Sequence, residues 1–442
     1  MCFVIMAVLR SRSKKVLVLL AVFLTMVFMK GQLFDDQSDS NNKRNSVFGK
    51  LNRNSGGSRA NYGVPEVDEL IDWYLTKQHI FESRYTLLAN EPYAEFLLKL
   101  DRNRPIGDGL KMDLPENGHS WQRFYREIEQ YALYNPHTKD TVKELLRELA
   151  TTPIAKTEER LEYSQATLIV TLSNGAQGVF KGKSFGRDYQ TPPDLMYFSE
   201  FDRHNAEIAA FHLDKILGFY RAPPSVGRWI NVSSEVTPGP KMLMYQSPVG
   251  NSCFLVRCRQ YPSSMYGFCG EPQMLEGSLT IVLPGRLVPD RHHHHRHPWA
   301  RTYNISKAPW ELSEDYCEKV VKNDLRFSRG RILMDLIDLA VFDFLTGEFS
   351  KANYDCNSCL APLKQCCLIR QSTMVKLIKL YRGPDSLSGL LRTSLNSDPV
   401  APVLLKNHLD AVDRRLGKVL KTVSDCISNK GSWDNVVIDD EF

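Results

Sequence analysis

The sequence predicts an α+β fold built as one large bilobal domain behind an N-terminal appendage, and three observations predict it. The chain has 442 residues, 43% of them hydrophobic and 24% charged, enough to bury a full core. Its apolar periodicity runs helical, then strand-like, then helical again between residues 121 and 217. Ten cysteines, in a chain that opens with a secretory-type segment, read as a disulfide framework.

At the N-terminus, Arg10, Arg12, Lys14 and Lys15 precede an apolar run from Val16 to Met29 that Lys30 closes. A positive flank followed by an apolar stretch reads as a secretory signal. Its length suits a signal peptide or a short type II anchor in a thin early-secretory bilayer. No small-x-small cleavage site follows, which favours an uncleaved anchor over residues 1–30 with the body in the lumen. The plainer alternative is a buried core helix. Residues 31–62 are polar and Asn/Ser/Gly-rich, too poor in branched apolar residues to pack, and read as a disordered stem before a domain over 63–442. Asn231 (NVS) and Asn304 (NIS) are acceptor sequons that fit a lumenal compartment. The net charge is +5 without a clustered basic face, which argues against a nucleic-acid partner. RHHHHRH, residues 291–297, reads as a solvated loop, because no Cys or acidic ligand stands at metal-site spacing beside it.

Along the body, residues 121–149 are mainly helical, and Val142, Leu145, Leu146 and Leu149 give one helix an apolar face. The period then changes to two. Leu168, Val170 and Leu172 alternate with Thr167, Ile169 and Thr171, and Asn174-Gly175 supplies the positive φ angles of a tight hairpin turn. Lys181 therefore ends the returning strand, across the hairpin from the neighbourhood of Gln165. After Pro192-Pro193 a helix follows, with Ala206, Ala209, Ala210, Leu213, Ile216 and Leu217 as its inward stripe. Asp202, four residues before Ala206, projects from the same face. A buried acid needs a cationic partner, and Lys181 is the candidate. A strand-borne Lys paired with a helix-borne acid is how kinases fix ATP phosphates. The bland alternative is a surface Lys and an acid that merely complements the helix dipole.

The stretches PPDLMYFSEFDRHNAEIAAFHLDKILGF, LEGSLTIVLP, DLAVFDFLTG, QCCLIR and VAPVLLKNHLDAVDRRL resemble the secretory-pathway kinases called the family with sequence similarity 20. The resemblance runs from about Trp121 to Val437 and looks nearest the branch of the Golgi casein kinase and its pseudokinase relative. It implies an atypical bilobal protein-kinase-like fold, disulfide-stapled, with a β-rich N-lobe over about 120–280 and a helical C-lobe over about 281–437. ATP with Mn²⁺ or Mg²⁺ would lie in the cleft between them. It places Gln165 and Lys181 at phosphate-contacting positions, Asp202 at the position of the helix Glu and of a metal ligand, and Thr280, Ile281, Val282 and Leu283 on the hinge that frames adenine. Asp202 departs from the family by being one methylene shorter. The resemblance also implies disulfides joining Cys253 to Cys269, Cys317 to Cys366 and Cys367 to Cys426; Cys258 is left over because Pro262 occupies its partner's position. It implies residence in the Golgi lumen or secretion, with membrane contact only through the anchor. As partners it implies secreted protein substrates or a catalytic paralogue, in a homo- or hetero-dimer.

One stretch departs from the family. Residues 343–359, DFLTGEFSKANYDCNSC, begin as the family does, but the family then continues Asn-Met-Asp-Arg-His, whose Asp accepts the proton of the substrate hydroxyl. Here Glu348, Phe349, Ser350, Lys351 and Ala352 align, so Ser350 stands at the place of the catalytic Asp, and a neutral hydroxyl is no base near pH 7. The family's Asp-x-Gly-x-Gly-Phe-Gly segment, whose Asp holds the metal, has no counterpart in the seven residues between Tyr354 and Pro362. Losing a general base costs about 10²- to 10⁴-fold, and losing the metal removes roughly several kcal/mol of charge stabilisation. The chain is therefore expected to be inactive or severely impaired as a kinase. Asp343, Glu348 and Asp355 are the carboxylates that could stand in. Asp343 belongs to the helix and is expected in a structural hydrogen-bond network, and Glu348 is two positions away from the required place. Cys356 and Cys359 have redox or zinc half-site spacing; without a second pair, a lumenal disulfide is the plainer reading. Three readings result: a pseudokinase that activates a catalytic relative, a splice product or faulty gene model of a true kinase, and an enzyme with rearranged metal ligands.

Overall fold

In the computed structural model the change of period at residues 149–168 becomes a helical layer packed on a sheet. The structure describes residues 67–68, 114–115, 117–129, 131–160, 167–189, 203–240, 242–257, 265–284, 297–300, 306–328, 330–347, 356 and 358–439, all within the unit Tyr62–Phe442. The signal or anchor run, the stem, Gln165, Asp202, Cys258, Pro262, residues 291–296, Asn304, Glu348, Ser350 and Asp355 lie outside the described residues. Among the described residues no helix is long and apolar enough to cross a membrane.

Helices α1 (Ser120–Glu127) and α2 (Lys139–Thr151) come first, and Val142, Leu145 and Leu149 of α2 are buried while Leu146 is half-buried. Strands β1 (Ile154–Arg160), β2 (Thr167–Leu172) and β3 (Gln177–Gly182) follow, then α3 (His204–Leu217) and β4 (Ser225–Asn231). Strands β5 (Met242–Gln246), β6 (Ser252–Arg257) and β7 (Met265–Cys269) form a separate three-stranded sheet, and β8 (Met274–Ile281) returns to the first. The main sheet has the order β1-β2-β3-β8-β4, antiparallel throughout. Alternation fixes its two faces. Leu168, Val170, Phe180, Leu279 and Ile281 are buried together with Val142, Leu145 and Leu149 of α2. Lys181, Ser278 and Thr280, the intervening positions of β3 and β8, occupy the opposite face.

The β2–β3 turn differs in one detail from expectation. Leu172 N–H donates to the Ala176 carbonyl, and only Gly175 takes a positive φ, of 84°. Asn174 instead accepts the Ala176 N–H at its Oδ1 (3.1 Å), while the Trp121 indole of α1 donates to the Asn174 carbonyl (3.0 Å). This is the three-residue loop with glycine in the left-handed position, and the side chain of Asn174 does the work assigned to its backbone.

Helix α3 also departs from a single inward stripe. Ala209, Leu213 and Leu217 are buried, but Ala206, Ala210 and Ile216 are only half-buried, and Ile208, Phe211, His212 and Asp214 are buried as well. The helix is enclosed on two sides. Phe211 joins the core of the sheet, and Ile208, Ala209, Leu213 and Leu217 join the core of the helical half.

The second half is helical: α4 (Ile332–Thr346), α5 (Ala361–Cys366), α6 (Gln371–Arg382), α7 (Leu387–Leu395) and α8 (Lys406–Lys430) share one core, and β9 (Ile369–Arg370) pairs parallel with β10 (Val437–Ile438). Helix α4 ends at Gly347, whose φ is 45°. Buried Arg415 of α8 caps that end by donating to the carbonyls of Leu345 and Thr346 (3.3 and 3.0 Å). A side chain at residue 347 would collide with the Arg415 guanidinium, so the position requires glycine on both counts.

Disulfides join Cys253 to Cys269, Cys317 to Cys366, Cys356 to Cys359 and Cys367 to Cys426. Three of these are the pairings the resemblance implies, and Cys356–Cys359 is the short-loop disulfide read from its spacing. The bridges from adjacent Cys366 and Cys367 span 49 and 59 residues and restrict the unfolded chain by about 4 kcal/mol each in the chain-entropy model.

Candidate nucleotide site

The site is built outward from Lys181. Strand β3 sets Lys181 opposite Ser278 of β8, on the face of the sheet that α3 covers. Its Nζ lies 2.5 Å from Oε1 of Glu207, in the first turn of α3. Both side chains keep contact with solvent, at 21% and 33% exposure, so the pair is sheltered but reachable by a polyanion.

Glu207 was not singled out by the sequence, which offered Asp202 as the acid for Lys181. Asp202 lies outside the described residues; within α3, which begins at His204, Glu207 carries a carboxylate paired with Lys181. A signal was present: Glu207, Phe211 and Asp214 recur at i, i+4, i+7, a second stripe. Two of its three members are acidic, which hides it from a search for apolar periodicity.

A buried polar cluster holds the start of α3. Glu276 of β8 accepts from His204 Nε2 (2.7 Å) and from both terminal nitrogens of Arg187, and Lys183 stands 3.8 Å away. Burial alone would raise the Glu276 carboxyl, but the hydrogen bonds and charges of His204 and Arg187 outweigh it and bring the pKa down to about 2. Burial lowers His204, against the pull of Glu276. Arg187 also donates to the Val400 carbonyl (2.7 Å), Asn205 to the Val403 carbonyl (3.2 Å), and the Gly227 N–H to Asp398 Oδ2 (3.0 Å). Three elements of the first half are thus tied to the segment 398–403 between α7 and α8.

The predicted hinge residues lie at the end of β8. Thr280 pairs with Val179 and Ser225, and its hydroxyl meets that of Ser225 at 2.8 Å. Ile281 N–H donates to Pro224 (3.0 Å), Val282 N–H to Gln177 (2.9 Å), and the Tyr125 hydroxyl of α1 donates to the Val282 carbonyl. Burial pushes the Tyr125 hydroxyl up to about 12, so it remains a donor. With the N–H groups of Ile281 and Val282 spent inside the protein, side-chain packing and the backbone of Leu283 remain for contact with a base.

On the other wall, α4 ends at Gly347. Of the three carboxylates that could stand in, only Asp343 lies within the described residues. Among the described residues its carboxylate has no hydrogen-bond or ion-pair partner. Its side chain reaches solvent, yet crowding by protein atoms pushes its pKa up to about 6. Among the described residues no three His, Cys, Asp or Glu side chains gather as a metal site. His297, the last residue of the histidine run, accepts the Trp299 N–H at Nδ1 (3.2 Å) and is half-buried.

Comparison with known proteins supplies the context. The family model described as "Fam20C: Golgi casein kinase, C-terminal, Fam20" matches residues 119–357 and 348–435, in two segments. The human extracellular serine/threonine protein kinase FAM20C is 39% identical over 355 residues, 73% of this chain and 60% of that protein. This chain thus spans less than two thirds of the human relative. The Caenorhabditis elegans extracellular serine/threonine protein kinase CeFam20 is 35% identical over 352 residues, 72% of this chain and 68% of its own length. The mouse pseudokinase FAM20A is 36% identical over 367 residues, covering 71% and 66% of the two chains. The crystal structure of the Golgi casein kinase with Mn/ADP bound superposes with a TM-score of 0.71 at 30% identity, covering 88% of this chain and 96% of that one. With the model covering most of the body and these relatives aligning across it, the chain belongs to the Fam20 family.

Proposed function

We propose that this chain is a secretory-pathway member of the Fam20 family that keeps the nucleotide-facing half of the kinase site and has lost phosphoryl transfer. The observation that carries the reading is Ser350 aligned with the proton-accepting Asp of the family, together with the ion pair between Lys181 and Glu207. The two segments of the family match overlap at 348–357, which supports a break in family pattern confined to that stretch. The Lys181–Glu207 pair fits the phosphates of ATP, while the described residues offer no ligand set for the Mn²⁺ or Mg²⁺ that would supply charge neutralisation when bound. Lys181 would bind phosphate oxygens, and Glu207 would hold the Lys181 ammonium in place. The role left to such a chain is to bind and stimulate a catalytic paralogue in the Golgi lumen or outside the cell. Family members named pseudokinase make that role a natural one. A glycan at Asn231 is compatible with the fold: Oδ1 caps the next helical turn through the N–H groups of Ser233 and Ser234 (3.0 and 3.2 Å), and attachment at Nδ2 leaves that cap in place.

The test is transfer of ³²P from ATP to casein-like Ser-x-Glu peptides with Mn²⁺, using purified full-length protein. Incorporation at background is expected, together with co-purification of a catalytic paralogue and a rise in its rate. Label transfer that disappears in Lys181→Ala overturns the loss of chemistry, and absence of both paralogue effects overturns the activator role.

A second reading, a splice product or faulty gene model of an active kinase, is favoured by the sharp edges of the departure, with family pattern resuming at Pro362. Transcripts sequenced across the Tyr354 codon decide it. An uninterrupted genomic codon order with no missing segment rejects it.

A further inference from the structure

A cavity of about 660 Å³ lies away from Lys181 and Glu207, and neither residue lines it. Its walls come from the segment after α1 (Ile128–Leu133), the turn after α3 (Phe219–Ala222) and the first three turns of α4, and Leu283 also lines it. The volume is that of a small-molecule site.

Two features give the cavity its chemistry. The first is an apolar face of α4 that stays partly open among the described residues. Ile332, Leu336 and Leu339 recur along α4 and line the cavity, and Ile332 and Leu339 are 38% and 43% exposed. The second is a surplus of hydrogen-bond donors at one end. Asp335 accepts from Arg331 through Nε and an Nη (2.9 and 3.2 Å) and from Arg370 (2.8 Å), and forms an ion pair with Arg221 at 3.1 Å. Asp338 accepts from Arg370 and from Thr373 (2.8 Å), with Arg221 at 3.5 Å. The other two acids in the wall are committed elsewhere: Asp214 takes the Tyr134 hydroxyl (2.7 Å) and the Arg221 N–H, and Glu129 takes the Asn135 amide.

A guanidinium carries five donors. Arg331 spends two on Asp335, and Arg221 reaches both acids through one nitrogen. The nearby carboxylate oxygens are therefore occupied while N–H groups of Arg221 and Arg331 have no acceptor among the described residues. Arg331 also lies flat on the Tyr131 ring, 3.9 Å from its centroid, which holds the guanidinium in one orientation.

We propose that this cavity binds a free long-chain carboxylate, its head group on Arg221 and Arg331 and its tail along Ile332, Leu336 and Leu339. The carboxylate supplies the missing acceptors in bidentate geometry, and the tail covers the open face of α4. The proposal is independent of whether the chain transfers phosphate.

Calorimetric titration of the full-length protein with dodecanoate, kept below its micelle concentration, tests it. One saturable site is expected. Leu339→Trp, which fills the cavity from an exposed position, should weaken binding at least tenfold. Arg331→Gln should weaken it about fivefold, and dodecylammonium should not compete. Melting curves identify variants that fail to fold, in which case Ile332→Trp replaces Leu339→Trp. Absence of saturable binding, unchanged affinity in the tryptophan variant, or equal competition by the cation would overturn the proposal.

Discussion

The two walls of the candidate nucleotide site differ in how they are held. On the sheet side, Lys181 and Glu207 are fixed several times over: by the β3–β8 register, by Glu276 with Arg187 and His204, and by ties from α3, β4 and Arg187 to residues 398–403. On the helical side, α4 ends in a capped glycine and Pro362 resumes the family pattern, but the residues between carry Ser350 where a carboxylate does chemistry in the family. If the proposed function holds, the difference makes holding a nucleotide and reacting it separable properties of this fold. The first rests on a network woven through the core. The second rests on the stretch between Gly347 and Pro362, whose departure from the family pattern leaves α4, α5 and the Cys317–Cys366 and Cys367–Cys426 disulfides in place.

The largest effect should come from breaking the woven side. Glu276→Ala removes the carboxylate that Arg187 and His204 share, leaving Arg187 only the Val400 carbonyl, and loss of one partner of a buried pair costs about 3–5 kcal/mol. Chemical denaturation should show that loss, with nucleotide affinity falling in parallel because α3 loses its anchor. Unchanged stability would mean that the sheet side is no better determined than the loop side.

The disulfides extend the comparison at slightly smaller amplitude. Serine replacement of Cys367 and Cys426 should cost about 4 kcal/mol, since the bridge spans 59 residues. The same replacement of Cys356 and Cys359, three residues apart, should cost only about 1–2 kcal/mol. Equal losses in thermal melts would show that the short bridge braces more than its own loop.

How much of this was legible in the sequence follows from distance along the chain. The helix at Val142–Leu149 and the β2–β3 hairpin were legible because each is a local period ended by a local turn. Glu207 was not, because α3 is buried on two sides and its acidic stripe breaks the apolar pattern. The Glu276 cluster was not, because Arg187 and His204 lie 89 and 72 residues from their acceptor, and no local spacing encodes such a meeting. Tyr125 on Val282 is the same case at 157 residues. The disulfide pairings came from family resemblance, which carries long-range information that periodicity lacks. Ser350 was visible only as a departure from that pattern, since a serine in a polar stretch of sequence signals nothing by itself.

Exchanging the pair itself has a narrower effect. Glu207→Gln keeps the shape of the side chain and removes the charge that holds the Lys181 ammonium, so ATP affinity should fall about tenfold, equivalent to about 1.4 kcal/mol. Both groups are partly exposed, so the melting temperature should barely move. A melting shift as large as that of Glu276→Ala would make the pair a structural bolt instead of a phosphate clamp.

The smallest effect joins the two walls. His408 of α8 is buried; burial first, then the charges of Arg203 at the start of α3 and Arg415 at the end of α4, lower its pKa to about 4. Its Nδ1 accepts the Leu405 N–H (3.2 Å), a contact that the neutral ring makes and the protonated ring cannot. The folded pKa lies below the unfolded value of 6.5, so the unfolded chain binds the proton more readily between the two. Stability is therefore full above about 6.5 and declines as pH falls through that window. From pH 7 to 5.5, the span of the secretory pathway's acidification, His408 alone should cost about 1 kcal/mol. His408→Asn keeps an acceptor for the helix start and removes the titration, so the acid slope of the melting curve should flatten by that amount. His204 and His212, also lowered by burial, keep the remainder of the slope, and a slope unchanged in His408→Asn would assign all of it to the sheet side.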